Sequence, residues 1–277
     1  MQIGPISLVT ILTRNLEASI SIYSKTFNWE VSESIHPLDL ELTQRWNVPG
    51  LIGAPTATVA GINGGVRFIE SAEPLPVLPL RTFGWSALEV CVDDVFAYTD
   101  KAISAGFTLL NEPVALSGTD KPLPLIAAQL AGINGEVLYI TQILGEMPNF
   151  ELPDVKTQTG NIFICVLGAS DLEASRKLLE EGFDLRRASD RKVAIKVLNK
   201  VFNKPLTEVH RLSSLQLNGR NAIEIDQMPT DATQREVKEG FLPAGISIVS
   251  VLGQIKQAQF INLPDGAGLE ILPDNSN

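Results

Sequence analysis

The stretch TVAGINGGVRFIES, from Thr58 to Ser71, decides the fold because it returns as QLAGINGEVLYITQ from Gln129 to Gln142. Half of the aligned positions are identical in the two copies. Each copy places β-branched and apolar residues on both sides of an Asn-Gly dipeptide, which is typical of a tight β-hairpin. The recurrence predicts a fold made by duplicating one small unit, with the functional site between the copies.

Outward from the hairpins the chain divides into four units. The first reads as strand, amphipathic helix at 16–26 and three further strands, and the second repeats this βαβββ order. The third unit repeats, at residues 172–175, the LEAS sequence of residues 16–19. The fourth unit has three predicted strands, beginning at Ile246, and no helical stretch between them. We therefore expect an α+β fold of four tandem βαβββ modules, the last truncated, paired as 1+2 and 3+4.

This pairing predicts two domains, at 1–145 and 156–277. The chain has 277 residues, of which 44% are hydrophobic, and it carries a net charge of −10. That charge argues against a nucleic-acid surface, which needs clustered Lys and Arg, and against an anionic membrane. The sequence shows no signal peptide and no apolar run near the roughly 20 residues that span a bilayer. With Cys91 and Cys165 expected to be reduced core thiols, the prediction is a cytoplasmic protein.

The chain resembles the vicinal oxygen chelate superfamily, which includes glyoxalase I, methylmalonyl-CoA epimerase, extradiol dioxygenases and bleomycin-resistance proteins. The resemblance lies in LVTILTRNLEASISIY at 8–23, LEVCVDDVFAYTDKAISAGF at 88–107 and the closing strands INGEVLYI, GRNAIEI and DGAGLEIL. It covers nearly the whole chain. It implies two curled mixed sheets, each enclosing a cavity that holds the active site. It leaves open whether modules close on each other within one chain or swap across a homodimer.

The same resemblance implies where a metal would be bound. Metal-binding members place His, Glu or Gln at the start of each first strand and in the middle of each last strand. Those positions fall at Leu8 and Phe68 in module 1, and at Ala87 and Tyr139 in module 2. A hard cation needs several oxygen donors, and none of these residues is a usual ligand. We therefore expect the 1+2 cavity to lack the family metal and the protein to need no cofactor.

Modules 3 and 4 do carry carboxylates, Glu224 and Glu270, at the last-strand position. No histidine accompanies them, because His36 and His210 match no ligand position. An iron-dependent dioxygenase, which needs two His and one carboxylate, is nearly excluded. Weak binding of Mg²⁺ or Ca²⁺ by Glu224 and Glu270 remains an alternative. The favoured interpretation is that both are inherited positions, now hydrogen-bonded or solvated.

Side chains alternate across a strand, so further residues are expected to share the cavity with Leu8 and Ala87. The expected substrate-binding set is Leu8, Thr10, Leu12, Trp46, Phe68, Ala87 and Cys91. Arg67 lies next to Phe68 in the sequence and is therefore expected on the opposite face.

Glu89 and Tyr139 are the catalytic candidates. Glu89 lies in the otherwise apolar run SALEVCV, where a buried carboxylate has a raised pKa and can act as a general base. Its alternative is a place at the cavity mouth or a pairing with a base such as Arg67. Tyr139 can donate a hydrogen bond to a carbonyl or enolate oxygen. An interpretation favoured at least equally is that Tyr139, like Phe68, is only an aromatic residue of the cavity wall.

These residues support three hypotheses for function. The first is a metal-independent lyase or isomerase that acts on a small, largely apolar carbonyl compound in the N-terminal cavity. Glu89 would abstract a proton and Tyr139 would polarise the carbonyl oxygen. The second is a binding protein that sequesters an apolar small molecule, as bleomycin-resistance proteins do. The third is a metalloenzyme that uses Glu224 and Glu270.

Overall fold

Modules 1 and 2 fold as strand, helix and three strands in the computed structural model, which describes residues 1–73, 78–117 and 122–275. Module 1 comprises β1 (Ile3–Thr13), α1 (Leu16–Phe27), β2 (Glu30–Pro37), the short α2 (Leu40–Arg45), β3 (Pro55–Ala60) and β4 (Gly65–Glu70). Module 2 comprises β5 (Gly84–Val92), α3 (Val95–Ala105), β6 (Thr108–Ser117), β7 (Pro122–Ala131) and β8 (Val137–Ile143). Side-chain caps from Asn15 and Asp94 begin the two long helices.

Module 3 repeats this order and module 4 is truncated, as the sequence predicts. After α4 (Val155–Gln158), module 3 comprises β9 (Asn161–Ala169), α5 (Leu172–Phe183), β10 (Arg186–Val193), α6 (Lys196–Val201), β11 (His210–Leu217) and β12 (Asn221–Gln227). Module 4 comprises β13 (Gly245–Gly253), β14 (Gln259–Asn262) and β15 (Gly268–Pro273). Across the described ranges, no helix has the length and apolar character needed to cross a membrane.

The modules pair differently from the prediction. Within the described residues, the first sheet has the strand order β14-β15-β13-β1-β4-β3-β2 and combines modules 1 and 4. The second sheet has the order β10-β11-β12-β9-β5-β8-β7-β6 and combines modules 2 and 3. The predicted pairing 1+2 and 3+4 is therefore wrong. The first strand of each module has a free edge that needs a partner, and β1 finds β13 while β5 finds β9, both antiparallel.

Each sheet consequently takes one module from residues 1–145 and one from 156–277. The helix-bearing faces of the two sheets share one large apolar core, in which α1 packs against α3. Tryptophan side chains also tie distant segments together: the Trp29 indole donates to the Gly160 carbonyl at 2.9 Å, and the Trp85 indole to the Gly268 carbonyl at 2.7 Å. The concave faces of the two sheets point away from this shared core.

The two repeated hairpins differ by one residue in their turns. Ala60 pairs with Gly65 in module 1, whereas Ala131 pairs with Val137 in module 2, so the second turn is one residue longer. A shift of one residue moves every following side chain to the other face of a sheet. Sequence alignment of the hairpins therefore equates residues that face opposite ways.

Phe68 and Arg67 show the consequence. Phe68 is fully buried on the helix-bearing face, where its ring contacts Tyr23 of α1 with 5.2 Å between centroids. Arg67 instead occupies the concave face of the first sheet, over the Trp46 ring. The expectation that Phe68 lines a cavity and that Arg67 points away from it is wrong, because the register of β4 differs by one residue from that of β8.

Arg235 links the two sheets. Its side chain is buried and donates hydrogen bonds to the carbonyls of Trp85 in β5 and Ile246 in β13, at 2.9 and 2.7 Å. It also donates to the Ala244 carbonyl and the Thr82 hydroxyl. Burial lowers the pKa of Arg235 to about 10. The surrounding carbonyl dipoles therefore stabilise a charge that water does not reach.

We predict that Arg235→Met lowers the free energy of unfolding by about 3 kcal/mol, because buried carbonyls in both sheets lose their donor. Urea denaturation followed by circular dichroism measures the change. Arg14→Met removes an exposed arginine and serves as the matched control. Equal unfolding midpoints for the two variants would show that Arg235 does not hold the sheets together.

Candidate active site

A cavity of about 130 Å³ opens on the concave face of the second sheet, between modules 2 and 3. We call it the module 2–3 cavity. Its wall is largely apolar and includes Val114, Leu116, Leu123, Leu125, Met147, Phe150, Ile164, Ile195, Val197 and Leu212. These side chains come from strands of both modules, from α6 and from the segment that joins the modules. An enclosed apolar cavity with a few polar groups is the usual form of a small-molecule site.

The polar groups of the cavity lie on neighbouring strands of the sheet. Glu89 on β5 stands beside Tyr139 on β8 and Ile164 on β9 in the strand register. Glu224 and Asp226 lie two residues apart on β12 and therefore share the concave face. Arg191 reaches the same space from β10. Three carboxyl groups, one phenol and one guanidinium thus meet in an otherwise apolar wall.

Burial governs the charge of Glu89. Its side chain is 7% exposed, and loss of solvent raises its pKa to about 8 from 4.5. The negative charge of Glu224 adds to the rise, whereas Thr141 and Arg191 oppose it. The Thr141 hydroxyl has no hydrogen bond of good geometry in the described structure, so its opposition is weak. The expected burial of Glu89 is confirmed, and at neutral pH its carboxyl holds a proton most of the time.

Glu224 and Asp226 are perturbed in the same direction. Burial raises the pKa of Glu224, and the Arg191 charge and the Ser214 hydroxyl lower it in part. Burial raises the pKa of Asp226 well above its usual range, and the charge of Glu224 adds to this. Like charges at close range cannot all ionise in a medium of low polarity. Ionisation of one of these three carboxyl groups therefore disfavours ionisation of the other two.

Tyr139 remains a neutral phenol. Burial raises its pKa well above 10, and the charges of Asp226, Glu224 and Glu89 raise it further. Its hydroxyl keeps its proton throughout the physiological range and is therefore a hydrogen-bond donor.

Several polar atoms in and around the cavity have no partner among the described residues. They are Arg191 Nε and Nη1, Asp226 Oδ1, Gln129 Oε1 and Thr141 Oγ1. Gln129, Asp226 and Arg191 also line the cavity. Buried polar groups are almost always hydrogen-bonded in folded proteins, so a concentration of unsatisfied atoms in one place indicates a site for a polar ligand.

Solved structures resemble the chain over nearly its whole length, although no protein-family model and no curated protein matches it. Glyoxalase I from Zea mays superposes with a TM-score of 0.62 at 12% identity, over 97% of this chain and 92% of that one. A provisionally named dioxygenase from Bacillus subtilis superposes with a TM-score of 0.64 at 10% identity, over 100% of this chain and 87% of that one. This protein has the vicinal oxygen chelate fold. At such identities the likeness establishes the fold alone.

The metal typical of the vicinal oxygen chelate fold does not fit the residues present. Glu89, Glu224 and Asp226 face one cavity, yet in the described part of the chain no three His, Cys, Asp or Glu side chains are arranged to hold a metal ion. Their raised pKa values also keep protons on groups that must be deprotonated to ligate. Ile164 of β9 also lines the cavity, but its side chain has no atom that could ligate a metal ion.

The concave face of the first sheet is filled by protein. Glu270 is fully buried there and accepts hydrogen bonds from Arg45 at 2.9 Å, Trp46 at 3.0 Å and Ser250 at 2.8 Å. Arg67 approaches the same carboxylate at 3.8 Å and lies 5.3 Å from the centroid of the Trp46 ring. This confirms the hydrogen-bonded interpretation of Glu270. The equivalent position in the second sheet, Glu224, faces an open cavity instead.

The expected site residues are divided between the two sheets. Glu89, Tyr139 and Glu224 meet at the module 2–3 cavity. Ala87 and Cys91 are buried in the adjacent apolar cluster without lining the cavity. Leu8, Thr10, Leu12 and Trp46 belong to the first sheet. The alternative in which Glu224 and Glu270 share a metal is wrong, because they lie on different sheets.

Sequence reasoning missed Arg191, Asp226 and Gln129. Asp226 is predictable from the sequence, because alternation along β12 places it on the same face as Glu224. Arg191 gave no signal, since it sits in the charged run RRASDRK, which reads as a solvated edge strand. Gln129 is the first residue of the second repeat, where the sequence indicates only a hairpin strand.

We predict that Glu270→Ala lowers the free energy of unfolding by roughly 3–5 kcal/mol, because it leaves the buried Arg67 and the partly buried Arg45 without the Glu270 carboxylate. Glu41→Ala is the matched control, since Glu41 pairs with the same Arg45 but has a side chain that is 77% exposed. That exposed pair should contribute less than about 1 kcal/mol. Chemical denaturation of both variants checks the difference, and similar losses would contradict it.

We also predict that stability falls as pH rises, with Glu89 as one cause. Between its unfolded pKa of 4.5 and its folded pKa of about 8, the folded state binds more protons than the unfolded state. The contribution of Glu89 is therefore complete below pH 4.5 and is lost as pH rises through 8, at roughly 1 kcal/mol per pH unit.

Urea denaturation across this pH range measures the slope of the free energy of unfolding. Glu89→Gln should flatten it, because an amide does not titrate, whereas Glu41→Gln at an exposed position should not. An unchanged slope in Glu89→Gln would mean that the Glu89 carboxyl ionises normally in the folded protein.

Proposed function

We propose that the protein is a metal-independent lyase or isomerase that moves a proton next to the carbonyl group of a small molecule in the module 2–3 cavity. The observation that supports this is the group of buried carboxyls with raised pKa values that line one largely apolar cavity with Tyr139. The proposal keeps the chemistry expected from the sequence. It moves the site from the 1+2 pairing to the second sheet.

Glu89 is the proposed acid and base. A catalytic group works best when its pKa is near the working pH, and burial brings that of Glu89 to about 8. Its ionised form takes a proton from the carbon next to the substrate carbonyl. Its protonated form returns the proton to a different carbon in an isomerisation, or to the leaving group in a lyase reaction.

Tyr139 is the proposed donor to the carbonyl oxygen. Proton removal moves charge onto that oxygen, and a fixed donor in a dry site stabilises the resulting enolate. Because the pKa of Tyr139 lies well above 10, the phenol donates without losing its proton. The register places Tyr139 beside Glu89 on the neighbouring strand, so a carbonyl group and its adjacent carbon can meet both.

The apolar wall supports this chemistry. Met147 and Phe150 from the connection between modules close over the polar floor, together with Val197 of α6. Excluding water strengthens each electrostatic interaction inside the cavity and protects an enolate from competing reactions.

Proton exchange tests the proposal directly. A panel of small, largely apolar ketones and aldehydes is incubated with the protein in D₂O, and loss of the proton next to each carbonyl is followed by ¹H NMR. We predict exchange on at least one compound and a fall of about 100-fold or more in its rate in Glu89→Gln. Tyr139→Phe should slow exchange by about 100-fold through loss of the oxyanion donor.

Glu136→Gln is the matched control for this experiment. Glu136 is also a buried carboxyl of the second sheet, but it hydrogen-bonds Tyr23 at 3.2 Å and the Asn134 N–H at 3.0 Å, away from the cavity. Its exchange rate should match the wild type. Wild-type exchange in Glu89→Gln would overturn the proposed role of Glu89.

A binding protein for a small molecule is the second candidate. It is favoured by the protonated state of Glu89 at neutral pH, which makes the carboxyl a hydrogen-bond donor rather than a base. Stoichiometric binding of a carbonyl compound without any proton exchange or product would support sequestration. Under that outcome Glu89→Gln should retain most of the affinity.

A further inference from the structure

Arg191 carries two of the cavity's polar atoms that the described residues leave without a hydrogen bond. Its Nε and Nη1 atoms are buried and have no hydrogen-bond partner within the described structure. A guanidinium cannot lose its proton at physiological pH, and it offers only donors. These atoms therefore need an acceptor that the described residues do not supply.

The neighbouring unsatisfied groups can adjust in ways that Arg191 cannot. Asp226 Oδ1 becomes a donor when the carboxyl is protonated, and the Gln129 amide can turn to exchange its oxygen and nitrogen. Arg187, on the same strand, shows the ordinary arrangement: it donates to both carboxylate oxygens of Glu180 at 2.9 and 3.1 Å on the surface. Arg191 lines the cavity, and no carboxylate within the described ranges is hydrogen-bonded to it in this way.

We infer that Arg191 binds a carboxylate of the ligand, so that the cavity takes an apolar carboxylic acid rather than a neutral molecule. The inference rests on the proposed function for the position of the site, and it narrows the substrate to a carbonyl compound that also carries a carboxylate. The guanidinium matches the flat geometry and the charge of that group. The apolar part of the ligand would lie against Met147, Phe150 and Ile164.

The charge of the cavity allows an anion only if the carboxyl groups hold protons. Glu89, Glu224 and Asp226 line the same cavity as Arg191, and an ionised carboxyl there would repel the carboxylate of a ligand. Binding of an anion therefore draws a proton onto the cluster. A ligand cation would do the opposite and release a proton.

Lysine at the cavity mouth fits the same ligand. Lys196 is exposed at the start of α6 and lines the cavity edge, where its charge attracts anions from solution. Lys200 of the same helix donates to Asn111, another lining residue, at 3.1 Å. Lys196 therefore places a positive charge at the cavity entrance, and Lys200 places one beside the lining residue Asn111. Both lie in a protein whose net charge is −10.

Calorimetric titration with three compounds of one shape tests the inference. Isovalerate, its neutral amide isovaleramide and the cation isopentylamine are each titrated into the full chain, in two buffers of different ionisation enthalpy. We expect isovalerate to bind about 10-fold or more tightly than the amide, since a hydrogen bond to a charged group is worth about that much. Above pH 8, where Glu89 is ionised in the free protein, isovalerate binding should take up about one proton, so that its affinity falls roughly tenfold per pH unit there.

Arg191→Met should weaken isovalerate binding by about 10- to 100-fold and leave isovaleramide binding nearly unchanged. Arg191→Lys keeps the charge and should recover part of the affinity. Arg187→Met removes the surface arginine of the same strand and should behave as the wild type. Thermal unfolding of each variant confirms that it is folded before titration.

Three results would overturn the inference: tighter binding of isopentylamine with proton release, equal isovalerate affinity in Arg191→Met, or no isovalerate binding below about 10 mM. Each is separable from failure of the proposed function. Equal isovalerate affinity in Arg191→Met, with proton exchange on a ketone still catalysed by the wild type, would sink the carboxylate site alone. Isovalerate binding without exchange on any carbonyl compound would sink the catalytic proposal alone.

Discussion

Backbone pairing between first strands is the constraint on which the rest of the structure depends. The first strand of a βαβββ module is hydrogen-bonded on one side by its own last strand, which leaves its other edge open. An open edge in the middle of a buried sheet is costly, so each first strand must find another module. The antiparallel contacts of β1 with β13 and of β5 with β9 meet this need. They also decide which side chains share a concave face, and therefore which carboxyl groups meet.

The two concave faces solve the same problem of buried charge in different ways. In the first sheet Glu270 has the guanidinium of Arg45 and the indole of Trp46 as partners, and the space is closed. In the second sheet the equivalent carboxyl, Glu224, has no hydrogen bond from an arginine of the described chain, and burial raises its pKa despite the charge of Arg191. A filled site is stable and chemically silent. An open one keeps unsatisfied groups whose protonation responds to whatever enters.

Sequence patterns predicted what is local and missed what is distant. The helices, the hairpins and the truncated fourth module follow from periodicity, capping and the Asn-Gly turns, because these act over a few residues. The choice between β13 and β5 as the partner of β1 lies in contacts between segments far apart in the chain, which no local pattern records. The two hairpins align in sequence without a gap, so the longer second turn leaves no mark in the sequence. Its effect, which turns Phe68 away from a concave face, appears only when the strand register is known.

The chemistry of the cavity follows from burial more than from the identity of any one residue. At a protein surface, a carboxylate and a guanidinium would be charged, a phenol would be neutral, and water would hydrogen-bond all three. In the apolar wall the carboxyl groups retain protons, and the phenol of Tyr139 stays a donor. Two nitrogens of the Arg191 guanidinium have no hydrogen-bond partner among the described residues, although its charge opposes the rise in the carboxyl pKa values. A site with surplus donors and proton-holding acids suits an oxygen anion, whether a carboxylate that arrives with the ligand or an enolate that forms from it. It suits a metal ion poorly, since a metal would have to displace those protons before it could bind.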